Sequence, residues 1–186
     1  SSVPEMLGPY GIREDDVTMG LLPFYHIYGM VVIMGWALRQ GATVVTMPRF
    51  DMEQFLGLVQ ERKISHACLV PPIMLGLAKH PLVDKYDLSS LRTVVSAAAP
   101  LGADQEAAVR ARLDVLVTQG YGLTETSPVT HFRAVTPEGD PKSGSVGVCV
   151  PNTVTRIVDV ASRADLGPNQ EGELWISGPQ VMQGYL

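Results

Sequence analysis

The sequence predicts an α/β protein: a parallel sheet of βαβ units, followed by the start of a smaller β-rich, barrel-like subdomain. Two observations lead to this prediction. Short β-branched segments alternate with helical patterns over most of the chain, as is typical of parallel βαβ units. The last strand patterns have no helical segment between them. We therefore expect an α/β subdomain over 1–140 and the start of a β subdomain over 141–186.

The first elements follow from local residue patterns. Val17–Leu22 is a short apolar run that ends at Pro23, which predicts a buried strand followed by a loop. Met30–Arg39 predicts a helix, and Gly41 is a typical residue for its C-terminal end. The β-branched segment Ala42–Met47 predicts the next strand.

A second helix is predicted from its N-cap and its apolar face. Asp51 is a favourable N-cap, and Gln54 stands three residues later as in a capping box. The positions that follow the i, i+3, i+4, i+7 spacing of a buried helix face are Met52, Phe55, Leu56 and Val59.

The alternation then continues to the end of the chain. The further predicted strands of the first subdomain are Ala67–Val70 (stopped by Pro71-Pro72), Leu91–Ser96 and Val115–Thr118, and the further helices are Ile73–Lys79 and Ala103–Arg112. Thr126–Ser145 is rich in Pro, Gly, Ser and Thr and is predicted to be a long loop. The last two predicted strands are Thr153–Asp159 and Glu173–Ser177.

Composition and charge exclude several classes of function. The net charge is −5 and no basic run is present, so we expect no nucleic-acid partner. No apolar stretch approaches the roughly 20 residues of a membrane span, so we expect no transmembrane segment. Two distant cysteines without a CxxC pattern, and His66, His80 and His131 without ligand spacing, predict no metal cluster and a cytoplasmic, reducing setting.

The segment 118–125, TQGYGLTE, carries the strongest chemical pattern. Two glycines flank Tyr121, so the backbone could approach a ligand that stacks on the aromatic ring. Thr124 could donate to a phosphate oxygen, and Glu125 could bind Mg²⁺, which prefers oxygen ligands. From the residues alone, a glycine-rich turn with a solvated glutamate is an equally good interpretation.

The same segment resembles the adenine and Mg²⁺ motif of the adenylate-forming superfamily, which includes acyl-CoA synthetases, coumarate–CoA ligases, firefly luciferases and the adenylation domains of peptide synthetases. Three other segments resemble motifs of that superfamily, in the same order and at the same spacing. They are LPFYHIYG at 22–29, SAAAPLG at 96–102, and GELWISG at 172–178 followed by Gly184-Tyr185. Four matches in order cover nearly the whole chain, which makes the resemblance specific.

The resemblance implies a role for each matching residue. The residues expected to bind ATP are Ala98, Ala99 and Pro100 on one side of the adenine, Gln119, Gly120, Tyr121 and Gly122 on the other, and Thr124 at the α-phosphate. Glu125 would bind the Mg²⁺. His26 would lie beside the carboxylate that is activated, where an imidazole can orient or neutralise an oxyanion. His26, Thr124 and Glu125 are therefore the expected catalytic residues, although a lone histidine after Phe-Tyr is, without the motif, more typical of a structural residue.

The resemblance also implies an acyl pocket. Its expected residues are Tyr28, Val31, Val95, Ala97, Gly120, Pro128 and Val129. Val31 and Val95 replace residues that are often polar in plant coumarate ligases, so an unsubstituted aryl acid or an aliphatic acid is favoured; an ordinary core role for these two valines is equally compatible. Ala97 stands where the superfamily commonly has Gly, which would narrow the pocket. His26 replaces the Asp-containing segment of peptide-synthetase domains, which favours a simple acid over an amino acid.

The function implied is that of a fragment of an acid–CoA ligase that uses ATP, Mg²⁺ and coenzyme A as co-substrate to activate a small carboxylic acid of the cinnamate or fatty-acid type. The superfamily's phosphate-binding loop is expected before residue 1. Its ribose-binding Asp, hinge, adenylation lysine and C-terminal domain are expected after Leu186. We therefore expect the chain alone to be inactive. Two alternatives remain: adenylation with another acceptor, as in a luciferase-like enzyme or with a carrier protein, and a nucleotide-binding module without catalysis.

Overall fold

The computed structural model describes residues 11–133 and 142–186, so the predicted boundary near residue 140 lies outside the described residues. A seven-stranded sheet in the order β2-β1-β3-β4-β5-β6-β7 forms the main part. Its strands are β1 Val17–Gly20, β2 Thr43–Thr46, β3 His66–Leu69, β4 Thr93–Ser96, β5 Leu116–Gly122, β6 Val129–Phe132 and β7 Val148–Cys149. Strands β1 to β5 pair in parallel, which confirms the predicted α/β class.

Four helices connect the parallel strands. Helix α1 starts with π-type turns at Tyr28–Gly35 and continues as Trp36–Gln40, α2 is Met52–Arg62, α3 is Pro71–Lys79, and α4 is Ala103–Leu113. Short 3₁₀ segments occupy Pro81–Lys85 and Thr124–Thr126.

Side-chain alternation along the strands divides the core between the two faces of the sheet. Ala67 and Leu69 of β3 belong to a cluster with buried residues of α2, α3 and α4, whereas Cys68 belongs to a second cluster with α1. Neighbouring Val94 and Val95 of β4 divide in the same way. Successive side chains of a strand point to opposite faces. The sheet is therefore covered by three helices on one face and by α1 on the other.

Local chemistry explains where the helices begin and end. Asp51 Oδ1 accepts a hydrogen bond from the Gln54 backbone N–H at 2.8 Å, which confirms the predicted N-cap of α2. Gly41 has φ 77° after α1, as predicted for a C-terminal glycine. Pro71 and Pro72 form the first turn of α3, where the missing N–H of proline has no helical partner to lose.

Three predictions of secondary structure need correction. Helix α1 begins at Tyr28, two residues before the predicted Met30. Its first turns are π-type, since the Trp36 N–H donates to the carbonyl of Val31, five residues earlier. Strand β5 runs through to Gly122 instead of ending at Thr118. The predicted loop Thr126–Ser145 contains β6, which pairs antiparallel with β5 and explains that extension.

The last part of the chain forms a separate two-stranded antiparallel sheet of β8 Val154–Val158 and β9 Glu173–Ser177. The bounds of β9 are those predicted. The larger sheet extends past residue 141, since β7 pairs with β6. None of the helices within 11–133 and 142–186 has the length and apolar character needed to cross a membrane.

Candidate active site

A cavity of about 330 Å³, here called the first cavity, lies beyond the carboxyl ends of β4 and β5. In parallel α/β sheets this is the end at which ligands bind. The chain lines it with His26, Ile27, Tyr28, Val32, Val95, Ala97, Ala98, Gly120, Tyr121, Gly122, Leu123, Thr124, Glu125, Pro128, Val129 and Phe132. Most of the site residues expected from the sequence therefore meet in one cavity.

Four expected site residues do not line the first cavity. Val31 lines a second cavity. Ala99 and Pro100 are exposed, because the chain turns at Ala98 and leads away into α4. Gln119 is 2% exposed and its side chain enters the core instead of the cavity.

The structure adds Ile27, Val32, Leu123 and Phe132 to the lining. Val32 follows Tyr28 by four residues, so helical spacing could have identified it. Phe132 faces Gly120 across the β5–β6 pair, a contact hidden by the prediction of a loop there.

Gln119 belongs to a buried polar network under the site. Its Nε2 donates to the Leu101 carbonyl and to Glu106 Oε2, both at 3.1 Å. Glu106 is fully buried and also accepts two hydrogen bonds from Arg133, at 2.7 and 2.9 Å. It forms an ion pair with Arg110 at 2.8 Å as well. A buried carboxylate needs such partners to remain charged. The network joins α4 to β5 and fixes the strand that carries the cavity-lining glycines.

The polar end of the cavity contains His26, Thr124 and Glu125, all exposed to solvent. His26 Nδ1 accepts a hydrogen bond from the Tyr28 backbone N–H at 3.1 Å. Neutral imidazole has one donor and one acceptor nitrogen, so an accepting Nδ1 assigns the proton to Nε2. His26 can therefore present an Nε2–H donor to an anionic oxygen.

The Glu125 carboxylate is held from the segment after β9. Tyr185 Oη donates to Glu125 Oε1 at 2.9 Å, and the Met182 N–H donates to the Glu125 carbonyl at 2.8 Å. Within the described ranges no three His, Cys, Asp or Glu side chains cluster as a metal site. A single accessible carboxylate fits Mg²⁺, which is commonly held by one or two carboxylates together with phosphates and water.

Tyr121 offers an aromatic surface at the cavity wall. Its side chain is 38% exposed, and its ring meets the His131 ring edge-on, with centroids 6.0 Å apart. Burial lowers the pKa of His131, which keeps this imidazole neutral behind Tyr121. The cavity lining also includes Ala98, whose φ of 71° lies in the left-handed region that alanine rarely adopts.

Gly122 is required by the chain itself. A Cβ at Gly122 would lie 1.9 Å from the Pro128 carbonyl oxygen, which also accepts a hydrogen bond from the Leu123 N–H at 2.9 Å. From the sequence, Gly120 and Gly122 were both expected to let the backbone approach a ligand. At Gly122 the backbone instead lies close to Pro128, and this contact closes the turn that carries Thr124 and Glu125.

The inner end of the cavity is apolar. Tyr28 is buried and its hydroxyl donates to the Val95 carbonyl at 3.1 Å, so this hydroxyl is already satisfied by the backbone. Burial raises the pKa of Tyr28 and raises that of neighbouring Cys68 to about 12, so both groups are neutral. Val95 and Phe132 complete an apolar surface.

A second cavity, also of about 330 Å³, lies next to the first. It is lined by Val31, Val32, Trp36, Ser127, Pro128, Val129, Val150, Pro151, Asn152, Pro179 and Gln180. Val32, Pro128 and Val129 line both cavities and form the wall between them. The residues expected around an acyl chain are thus divided between two adjoining spaces.

Comparison with known proteins gives consistent similarities. The model of the family described as AMP-binding enzyme matches residues 3–186. The 4-coumarate–CoA ligase 1 of Solanum tuberosum is 47% identical over 178 residues, which are 94% of this chain and 33% of that protein. The chain spans about a third of the length of the curated relatives it matches.

Solved structures agree in fold. The ATP-bound MatB of Rhodopseudomonas palustris matches with a TM-score of 0.85 and 28% identity, covering 99% of this chain and 36% of that one. A red-emitting luciferase of Phrixothrix hirtus matches with a TM-score of 0.74 and 33% identity, covering 94% of this chain and 38% of that one.

Proposed function

This chain belongs to the family of AMP-binding enzymes, and on that premise we propose that the full-length protein is an ATP-dependent acid–CoA ligase. One observation carries the proposal: a single cavity joins a polar end with His26, Thr124 and Glu125 to an apolar end beside Val95 and Phe132. A carboxylic acid bound there would direct its tail to the apolar wall and its carboxylate to the polar end, where a nucleotide's phosphates would also lie.

The proposed reaction has two steps. An oxygen of the carboxylate attacks the α-phosphorus of ATP, the bond to the β-phosphate oxygen breaks, and pyrophosphate leaves. The thiol of coenzyme A then attacks the acyl carbon, AMP leaves with the bonding electrons, and the thiol proton passes to solvent. Forming the adenylate gives the acid a good leaving group, so a difficult condensation becomes two easier steps.

The residues of the chain would contribute positioning and electrostatic stabilisation. Tyr121 and Ala98 would lie against the adenine, and Thr124 would donate to an α-phosphate oxygen. His26 Nε2–H would donate to the carboxylate or the departing pyrophosphate, where preorganised donors lower the barrier. Glu125 would hold Mg²⁺, which when bound neutralises phosphate charge.

The proposed acid is an unsubstituted aryl or aliphatic carboxylic acid. A substrate hydroxyl at the inner end would meet apolar side chains and a Tyr28 hydroxyl already bonded to the backbone, and an unpaired buried hydroxyl is costly. The similarity to a coumarate–CoA ligase supports an aryl acid, and the adjoining second cavity supports a longer acid.

A second candidate function keeps the adenylation step and changes the acceptor. The similarity to a luciferase, at 33% identity, favours this candidate because that protein has the same fold and is not named as a CoA ligase. A nucleotide-binding module without catalysis would bind ATP and show no acid-dependent chemistry at all.

The test is carboxylate-dependent ATP–pyrophosphate exchange by the full-length protein with cinnamate, coumarate and medium-chain fatty acids. We expect exchange with one class of acid, loss of exchange in Glu125→Gln, and none by the 186-residue chain. Adding coenzyme A should then yield a thioester and AMP. Exchange without thioester formation would favour the second candidate. ATP binding without exchange with any acid would contradict the adenylation step.

A further inference from the structure

The segment after β9 returns to the cavity and contacts Glu125 twice. The Met182 N–H bonds to its backbone carbonyl at 2.8 Å, and the Tyr185 hydroxyl bonds to its Oε1 at 2.9 Å. The side chain and the backbone of one residue are therefore held by the same short segment.

Glu125 has little else to fix its side chain. It is exposed and belongs to the short 3₁₀ turn Thr124–Thr126. An exposed glutamate samples many rotamers, and losing that freedom opposes binding of a ligand. In the part of the chain that the structure describes, Tyr185 is the side chain that hydrogen-bonds the carboxylate. The bond engages Oε1 and leaves the lone pairs of Oε2 for a cation.

We propose that Tyr185 is a positioning residue that orients the Glu125 carboxylate for a divalent cation. This inference rests on the proposed function, which makes Glu125 the ligand of the nucleotide's cation. Hydrogen-bond partners behind a ligating carboxylate fix its orientation and strengthen binding. Tyr185 has the required chemistry, because a phenol donates its one proton without adding charge.

One further observation supports this role. The segment is anchored at its start, since Gln180 Nε2 donates to Thr153 Oγ1 at 2.6 Å. The segment that carries Tyr185 is therefore fixed to the β8–β9 part of the chain, and through Tyr185 this part reaches the polar end of the first cavity.

The test measures Mn²⁺ as a paramagnetic substitute for Mg²⁺, in the full-length protein with a non-hydrolysable ATP analogue and no acid. Water-proton relaxation gives the affinity for Mn²⁺ without turnover. We expect Tyr185→Phe to weaken Mn²⁺ binding about tenfold, the lower end of what loss of such a partner costs. Nucleotide binding without metal should be unchanged.

A matched control is available at Tyr86, whose partner Glu53 lies on α2. Tyr86 donates to Glu53 Oε1 at 3.4 Å, an exposed tyrosine–glutamate bond outside the cavity lining. Tyr86→Phe should leave the Mn²⁺ affinity at the wild-type value. In a Glu125→Gln background, Tyr185→Phe should have no further effect on Mn²⁺, because both changes act on one ligand.

An Mn²⁺ affinity of Tyr185→Phe equal to that of the wild type would overturn the inference. The inference would also be overturned if Tyr185→Phe lowered the Mn²⁺ affinity by the same factor in the Glu125→Gln background as in the wild type. Tyr185 would then affect Mn²⁺ binding without acting through the Glu125 carboxylate. The proposed function fails by a different result: no pyrophosphate exchange by the wild type with any acid. The Mn²⁺ measurement needs no exchange, so the two failures are distinguishable.

Discussion

At the scale of single residues, the loop after β4 contains backbone strain at the cavity. Ala98 has φ 71°, a conformation that costs an L-residue with a Cβ roughly 1–2 kcal/mol. Glycine adopts this conformation without strain, but it loses more backbone entropy on folding than alanine does. That entropy offsets about 0.4–1 kcal/mol of the strain that is relieved. We therefore expect Ala98→Gly to raise the free energy of unfolding by up to about 1.5 kcal/mol.

The neighbouring Ala99→Gly is the matched control, because Ala99 is equally exposed and has no positive φ. It should lower the free energy of unfolding by a few tenths to about 1 kcal/mol. Urea unfolding of both variants measures the difference. Equal destabilisation by both substitutions would show that Ala98 carries no strain.

His26 allows a second prediction with a close control. His26→Ala should lower acid-dependent pyrophosphate exchange by about 10²-fold, the loss typical of one donor to a developing anion, with little change in ATP binding. His80 has the same local geometry, with its Nδ1 accepting from the Leu82 N–H at 3.2 Å, but lies outside the first cavity. His80→Ala should keep full exchange, and a comparable loss in both variants would contradict a specific role for His26.

Residue types and motif order could predict most of the cavity, but they could not predict Gln119. A polar amide beside a glycine pair suits a nucleotide, and its position in the motif suggested the same. In the structure the Gln119 amide instead donates a hydrogen bond to Glu106. The ion-pair partner of Glu106 is Arg133, which lies 27 residues further along the chain. Pairing across such a separation leaves no local pattern in the sequence.

At the scale of elements, three parallel strands are joined at their N-terminal ends by one carboxylate. Asp16 is 6% exposed and accepts hydrogen bonds from the Arg13 N–H at 2.8 Å and from Ser65 Oγ at 2.9 Å, and it pairs with Arg92. Its position before β1 therefore ties that strand to the starts of β3 and β4.

This cluster predicts an acid-sensitive stability. Burial by itself raises the pKa of Asp16, but the hydrogen bonds from Arg13, Arg92 and Ser65 together lower it below the ordinary value. A lowered pKa in the folded state means that the stabilisation is complete above the unfolded pKa of about 3.9 and is lost as the pH falls through the folded value. Protonation removes it because Asp16 then accepts fewer bonds.

The measurement is urea unfolding from pH 6 down to pH 2.5. The stability gap between the wild type and Asp16→Asn should be constant above about pH 5 and should shrink below about pH 4. Asp104→Asn, at an exposed position in the first turn of α4, serves as the control. A gap independent of pH would contradict the role of the ionised carboxylate.

Strand β6 indicates where prediction of elements fails. The β-branched and apolar pattern of β1, β3 and β4 is strong because these strands are largely buried in a parallel sheet. Strand β6 has four residues, lies next to Ser127-Pro128, and carries Thr130 and His131. Val129, Thr130 and Phe132 favour a strand by themselves, but the Pro, Gly and Ser residues around this short run led to the prediction of a loop. The strand is stabilised by its antiparallel pairing with β5.

At the scale of the whole molecule, the first cavity depends on parts that are distant in the chain. Helix α1 supplies Tyr28 and Val32, the ends of β4 and β5 supply Val95 and Tyr121, and the segment after β9 holds Glu125. The sequence motifs identified each of these segments separately. Their assembly required the strand order, because β1 and β3 are neighbours in the sheet although two helices and a strand separate them in the chain.

The wall between the two cavities leads to the last prediction, on the length of the acid. Val32, Pro128 and Val129 line both spaces, so the smallest change that opens one into the other is a shorter side chain in this wall. Val129 is only partly buried, so Val129→Ala should cost little stability. We expect it to raise the ratio of kcat/KM for longer over shorter acids by about tenfold, the effect of roughly one added methylene group.

The measurement is kcat/KM for pyrophosphate exchange across straight-chain acids of increasing length. Val148→Ala is the control: it removes the same two methyl groups from a strand of the same sheet, at a side chain that is 63% exposed and outside both cavities. Its length profile should match that of the wild type. A Val129→Ala profile that falls equally for all acids would mean that the second cavity does not receive the acid, because an opened wall must favour the acids long enough to cross it.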